Sequence, residues 1–400
     1  MTTHDVTVVG GGPIGLITAL GLAQAGIGVT VLEATPTVVR TPRTMLFHWS
    51  IMAELERLGL LAAAASAGLV QRSWTLSVPR TGEELVFDLS VLDDSVEHPF
   101  TLHLGQDTLS EIVLARLGAM SNVRIEWDMS ARSFEQDAHG CTVSAVGPAG
   151  ERDYRSSWVV AADGAHSIIR RQLGLAFPGM TWPERFVATD LDLDLATLGY
   201  ARSVARVDPT HGALIAQFGD PVPWRYTYAE SLMLPNDSVA DRMPDVFRAL
   251  LPDDVDPQVT AWAAFRMHER VADRFRVGRA LLVGDSAHVT NPSSGYGVAG
   301  GFFDSALLVE TLAAVVHGDA PEDMLDHYSG VRRRVFTEIS SPVSSERKQL
   351  IFDSHDPVRL EADLEHYRRI TGDRDLMRRA MLVERELQSE SLLSKGNLPV

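Results

Sequence analysis

Gly10-x-Gly12-x-x-Gly15 constrains this chain more than any other feature, because it lies between a predicted strand and a predicted helix. Asp5–Val9 is a short apolar run, and Ile14 to Gln24 carries helical spacing closed by Gly26. In such a turn the first glycine permits the tight bend and the second lets backbone approach a pyrophosphate. The third lets helix and strand pack closely. The helix entered through Pro13 and Ile14 offers free N–H groups and a positive dipole end to phosphates. Val29–Leu32 reads as a second buried strand, and the short connections imply parallel pairing. Glu33 ends that strand about twenty residues beyond the glycines, where an acid accepts hydrogen bonds from a ribose diol. The glycines alone do not separate one dinucleotide from another.

The rest of the chain bounds the architecture. Four hundred residues exceed what one hydrophobic core usually serves, so two packed domains are expected. The formal charge is 36 − 53 = −17, which disfavours a nucleic-acid partner; the run Arg332–Arg334 reads as a solvated helix face. The chain opens on Met-Thr-Thr-His-Asp without a basic n-region, and its longest apolar stretches fall short of a membrane span. A soluble, cytoplasmic protein without membrane contact, monomeric or homodimeric, is the expectation. Cys141 is the only cysteine, which excludes a disulfide framework and an internal redox dithiol. No metal site is read.

Leu109–Met120 reads as a helix and Ser157–Ala162 as a buried strand. After Leu175 the texture changes. From Phe186 the chain alternates, with Val187, Thr189, Leu191, Leu193 and Leu195 on one face and Asp190, Asp192 and Asp194 on the other. That period of two predicts an antiparallel strand with one wet face. Strands follow at Ala213–Phe218, Trp224–Leu234 and Thr260–His268, before Ala280–Val283 and a helix from about Gly301 to His317 restore the α/β texture. The expected fold is α/β: a Rossmann-like nucleotide-binding domain with an inserted, mainly antiparallel β-sheet domain and C-terminal helices. The boundaries are 1–176 and 273–330 for the first domain, 177–272 for the insert and 331–400 for the helical tail.

Two further segments end buried strands on an acid and a glycine. Val159-Val160-Ala161-Ala162-Asp163-Gly164 is the first; Ala280-Leu281-Leu282-Val283-Gly284-Asp285 is the second, continuing through Pro292, Gly295 and Gly297 into a helix. With the N-terminal glycines in this order, they resemble the group A FAD-dependent aromatic monooxygenases, the para-hydroxybenzoate hydroxylase-like family, over about residues 4–320. The resemblance implies bound FAD, with NADH or NADPH as transient reductant and O2 as co-substrate. It places Asp163 and Gly164 at the FAD and NAD(P)H regions, Gly284 and Asp285 at the ribityl chain, and the amides of Gly295, Gly297, Val298 and Ala299 at the isoalloxazine. Pro292 matches the proline beside flavin and substrate, Arg43 an arginine near the FAD phosphates, and Gln106 an FAD-binding glutamine. Asp107 and Ala299 depart from the pattern, standing where arginine and asparagine are common. Gly295-x-Gly297-x-x-Gly300 repeats the glycine spacing but follows a loop rather than a strand, so a second nucleotide site is not expected.

The activity this implies is hydroxylation of an aromatic or heteroaromatic ring by NAD(P)H and O2 through a flavin C4a-hydroperoxide, in a site that excludes water. His48 is the candidate base or relay, with a packed histidine as the alternative. Trp224, Tyr226 and Tyr228 share one strand face that either walls an aromatic substrate or is plain core, and Gln217 is the neighbouring polar candidate. The competing readings are an FAD dehydrogenase or oxidase on the same scaffold and a non-catalytic flavin-binding protein. The lone Cys141 argues against dithiol reductases.

Overall fold

The computed structural model describes residues 4–220, 222–252 and 254–393. Residues 1–3, which precede the first strand in the sequence reading, and 394–400 of the expected helical tail lie outside the described residues.

The glycine turn belongs to an unbroken β-α-β unit: β1 (His4–Val9), α1 (Pro13–Gln24) and β2 (Val29–Leu32). β1 pairs in parallel with β2 on one side and with the strand Gly150–Ala161 on the other, and that strand pairs in parallel with Ala280–Leu282. Val123–Glu126 extends the parallel set beyond β2. Such strands are covered on both faces, which is why they read as continuous apolar runs: Val6, Val8, Val29, Val31, Val159 and Val160 are all fully buried.

The helices introduced next are α2 (Gln106–Leu117), α3 (Val239–Arg248), α4 (Tyr296–His317), α5 (Met324–Val335) and α6 (Ser341–Phe352), followed by α7 (Pro357–Gly372) and α8 (Arg374–Leu382). α1 and α4 pack so closely that a Cβ on Gly21 would lie 2.9 Å from Val309, and one on Gly301 2.9 Å from Ile14. α4 is long and apolar enough to cross a membrane by length and composition, yet 72% of its most apolar window is buried inside the protein. It is a core helix.

The second sheet has eight strands, and the expected insert supplies five of them: Gly179–Asp192, Ser203–Arg206, Ala213–Gln217, Trp224–Ser231 and Gln258–Val271. The hairpin Ser73–Val78 and Glu83–Asp88, from before the insert, and His288–Val289, from after it, complete the sheet. Most pairings are antiparallel, as expected; Ser203–Arg206 and Ser73–Val78 run parallel.

One strand expectation is corrected. The acidic face is wet only at its far end: Arg185 through Thr189 are buried on both faces, whereas Asp192 is exposed and Asp190 and Asp194 are half-buried. Val187 and Leu191 pack with Val239, Met243 and Phe247 of α3. The opposite face carries Phe186, covered by Ile351 and Phe352 at the end of α6. On that face Asp190 is neutralised by a two-pronged ion pair with Arg225, at 2.6 and 2.9 Å. Alternation reports two faces but not what covers each.

Candidate active site

Parallel pairing brings the three segments side by side. Val9 is in register with Ala161, and Ala161 with Leu282, so the turns after these strands emerge along one carboxyl edge of the sheet. Ligands of open α/β sheets bind in the crevice at this edge.

The three glycines differ in what surrounds them. Gly10 has φ +107°, and a Cβ there would lie 2.3 Å from the Ala162 carbonyl oxygen; one on Gly15 would lie 2.0 Å from the Gly10 oxygen. Gly12 differs, because a Cβ there would meet nothing within 4 Å. Gly12 N-caps α1 and no side chain satisfies the first amides of that helix. Pro13 occupies the first helical position, and Ile14 packs on both Gly284 and Gly301. Glu33 folds over the turn: one carboxylate oxygen accepts from the Gly11 N–H at 2.6 Å, the other from the Thr35 N–H and hydroxyl, each at 2.8 Å. Further lone pairs remain for a diol.

At the second turn Asp163 Oδ2 accepts from the Ile168 N–H at 2.7 Å, while Oδ1 is buried with no partner. Burial raises its carboxyl above the ordinary range. Gly164 follows in a left-handed conformation, φ +75°. Arg170 ties this turn to the third, donating to the Ala165 carbonyl at 2.7 Å and the Ser286 carbonyl at 2.8 Å, its guanidinium lying on Phe177.

At the third turn Gly284, φ +60°, donates its N–H to Asp304 at 3.0 Å. Asp285 is reached by solvent, yet the protein around it desolvates the carboxylate and raises it, against the pull of His288 and Arg43. No hydrogen bond or ion pair holds Asp285 among the described residues. The Arg43 side chain is exposed near it, and the amide of Gln106 opens α2 by donating to the Thr44 carbonyl at 3.1 Å.

Pro292 begins a single turn, Pro292–Ser294, which ends on Gly295 (φ +74°) at the start of α4. At the start of α4 the Tyr296 N–H donates to the Ser294 hydroxyl at 3.1 Å and the Ala299 N–H to the Gly295 carbonyl at 3.4 Å, which leaves the amides of Gly297 and Val298 at the positive end of the helix. His48 buttresses this turn. Its Nε2–H donates to the Ser294 carbonyl at 2.8 Å and its Nδ1 faces Glu384 at 3.1 Å; a Cβ on Gly295 would lie 2.4 Å from Nε2. Both ring nitrogens meet oxygen acceptors, so no lone pair on His48 is directed at a substrate proton. The structure brings His48 to the loop, and as a strut.

Trp224, Tyr226 and Tyr228 lie opposite Leu191, Thr189 and Val187 and pack into the core under α3. The Trp224 indole donates to Asp194 at 3.1 Å, and Tyr226 meets Phe247 edge-on at 5.8 Å. Both tyrosine hydroxyls are buried without a hydrogen bond, and burial raises them. Gln217 is buried beside Trp224, its carbonyl accepting from His103 Nδ1–H at 2.8 Å. The alternate residues of this strand take the opposite face. Arg225 reaches the Arg43 carbonyl at 2.7 Å, and Thr227 shares its face. The sequence reading passed over Arg225, whose one signal was an arginine between aromatics and across the sheet from the Asp190–Asp194 acids. Cys141 is buried, its thiol pushed up to about 12 by burial, an inert core residue.

An open cradle at Gly12, uncapped amides on α1 and α4, an unpartnered buried oxygen on Asp163 and a free Asp285 lie along one crevice. They fit a dinucleotide with a diphosphate at one end and a polar chain and ring at the other.

Comparisons with known proteins agree. A family model described as "FAD binding domain" matches residues 3–341. The chain is 38% identical over 377 residues to 6-hydroxy-3-succinoylpyridine 3-monooxygenase of Pseudomonas putida (strain DSM 28022 / S16), covering 94% of this chain and 96% of that protein. It is 36% identical over 400 residues to para-nitrophenol 4-monooxygenase of Pseudomonas sp. (strain WBC-3), covering 98% of each. Among solved structures, p-nitrophenol 4-monooxygenase of Pseudomonas putida DLL-E4 superposes with a TM-score of 0.94 at 34% identity, over 98% of this chain and 99% of that one. Aklavinone-11 hydroxylase, solved with FAD and aklavinone, superposes with a TM-score of 0.80 at 26% identity, over 89% of this chain and 70% of that one.

Proposed function

The chain belongs to the FAD-binding-domain family and is an FAD-dependent aromatic monooxygenase, and from this premise we propose how its residues serve the reaction and on which rings. The observation that carries the assignment is the register that lines up Gly10–Gly15, Asp163–Gly164 and Gly284–Asp285 on one sheet edge.

Gly10, Gly12, Gly15 and the start of α1, with Pro13 and Ile14, hold the diphosphate; Glu33 holds the adenosine ribose, and Arg43 supplies positive charge nearby. Gln106, Asp163, Gly164, Gly284 and Asp285 line the middle of the crevice. Pro292, Gly295, Gly297, Val298 and Ala299 present backbone to the ring system. When bound, FAD supplies the redox chemistry, taking electrons from NADH or NADPH and passing one atom of O2 to the substrate ring. The α4 amides stabilise negative charge where the ring system meets them. His48 is a positioning residue that fixes the Pro292–Gly295 turn. The opposing wall is the sheet face of Ala216, Arg225 and Thr227, which with α6 excludes water. The divisions 1–176, 177–272, 273–330 and 331–400 describe the chain's domains under this reading.

The relatives named for a hydroxylated succinoylpyridine and for nitrophenol support a single hydroxylated or nitro-bearing ring as substrate class. Incubating the holoenzyme with NADH or NADPH, 18O2 and a panel of such rings tests this. The expected result is ring-dependent oxidation of the reductant and a product carrying one 18O. Oxidation indifferent to any ring, with no labelled product, overturns it.

A second consequence concerns Asp285. A carboxyl raised in the folded state penalises the apo protein as pH climbs from the ordinary carboxylate value through the raised one. Asp285→Asn therefore makes the apo protein more resistant to urea at pH 7. The same change weakens FAD roughly three- to tenfold, the worth of one good hydrogen bond. Urea curves and FAD titration check the two halves together.

A further inference from the structure

Helix α6 bridges the two walls of the crevice. Near its start the Ser344 hydroxyl meets that of Ser294, at 2.5 Å, on the Pro292–Gly295 turn. At its end Ile351 and Phe352 cover the sheet face that carries Phe186 and Leu214. Register defines that face. Ala205 pairs with Leu214, Leu214 with Thr227, and Asp190 with Arg225, so these residues lie on the Arg225 side. Ala205 also pairs with Leu76, and Trp74, two residues earlier, shares its face.

Arg347 stands midway along α6, between these walls. Its guanidinium lies 5.7 Å from the ring centre of Trp74, on the sheet side, and 5.7 Å from that of Tyr296, on the loop side. Tyr296 in turn meets the His48 ring edge-on at 5.6 Å. Both distances lie within cation–π reach, so two aromatic rings flank the cation. None of its N–H groups is taken by a hydrogen bond or ion pair among the described residues, although the side chain is half-buried. Other buried arginines here hold protein acceptors: Arg170 two carbonyls, Arg225 Asp190, Arg332 Asp304. The charged groups near Arg347 are Glu384 and Glu346, and neither forms an ion pair with it; Glu384 is engaged by His48. A guanidinium presents a planar fork suited to carboxylate, and this one is held in place with its donors unspent.

We propose that Arg347, clamped between Trp74 and Tyr296, is the subsite for an anionic, carboxylate-type substituent of the aromatic substrate. This rests on the aromatic-hydroxylase reading and narrows its substrate class to rings bearing an acidic side group. The carboxylate docks on α6, and the ring extends between the Pro292–Gly295 turn and the sheet face of Ala216 and Thr227.

The test uses the FAD-loaded full chain and matched probes: hydroxyphenyl carboxylic acids with none, one or two methylenes before the acid, each against its primary amide. Binding is read from the change in flavin absorbance. The expected result is that at least one acid binds about 10- to 100-fold tighter than its amide, the worth of a partly desolvated charge-assisted pair. Arg347→Gln removes the preference, and Arg347→Lys restores part of it. Acid and amide binding alike across the wild-type set, no binding by any acid, or a preference surviving Arg347→Gln overturns the proposal. The wild-type comparison stands even if a variant folds poorly. Acid preference lost in Arg347→Gln, without 18O in any product, upholds the subsite and counts against the hydroxylase reading instead.

Discussion

Gly12→Ala is expected to lose FAD while leaving the apo protein as stable as before. The backbone at Gly12, φ −70° and ψ 174°, suits any L-residue. A Cβ there meets no protein atom within 4 Å, so the apo change is about 0.5 kcal/mol or less. On the proposed placement of FAD, the same methyl group stands where the diphosphate reaches the α1 amides. Forcing it back costs about 1–3 kcal/mol, a loss of roughly 10- to 100-fold in affinity. Gly10→Ala reverses the pattern. Its φ of +107° and a Cβ 2.3 Å from the Ala162 oxygen destabilise the apo fold itself by roughly 2–5 kcal/mol. Urea unfolding and FAD titration of both variants separate the roles. Equal behaviour of the two would mean that Gly12 serves packing, not the ligand.

That contrast shows what the sequence could reveal. The three segments were legible because the requirement at each is local: a left-handed turn at Gly10, a buried parallel strand before Asp163, another before Gly284. Their order in sequence then mapped onto order across one sheet. The substrate wall was not legible. Period two correctly grouped Trp224, Tyr226 and Tyr228, but chose no side. The side was decided by α3, whose Val239, Met243 and Phe247 cover the aromatics, and by the Arg225–Asp190 pair on the other face. The same limit hid the cover over Phe186, on the acidic face of Gly179–Asp192. His48 was found from its position after Arg43, but its role depends on Glu384, more than three hundred residues away, and no local pattern signals that contact. Arg332 belongs to a run, Arg332–Arg334, that reads as a solvated helix face, and Arg347 to a mixed-charge helical stretch without a legible motif.

Arg332 shows how far such a reading can mislead, and it carries the largest expected effect on folding. It is 1% exposed, and its Nε donates to Asp304, itself fully buried, at 2.7 Å. Its remaining donors reach the carbonyls of Leu387 and Gly300 and the Ser389 hydroxyl. Asp304 Oδ2 also accepts from His288 Nε2–H at 2.6 Å and from the Gly284 N–H at 3.0 Å. One carboxylate thus joins α4, α5, the C-terminal stretch and the turn that presents Asp285. Asp304→Asn puts an amide donor against one of these donors and leaves Arg332 as a buried, uncompensated charge. The expected loss is about 3–5 kcal/mol at pH 7. Burial disfavours the Asp304 charge, but His288 and Arg332 outweigh it and hold the carboxyl below its ordinary value. Its stabilisation is therefore complete above the unfolded carboxylate pKa, about 4, and is lost as pH falls below that toward the folded value. In urea unfolding, the acid limb of wild-type stability below about pH 4 becomes shallower in Asp304→Asn. FAD affinity falls as well, because the Gly284 turn loses its anchor. Asp304→Leu combined with Arg332→Met, which removes both charges, recovers part of the stability that either change alone destroys. Recovery of folding in the double variant without recovery of FAD would show that the carboxylate is needed to hold the Gly284 turn, beyond balancing charge.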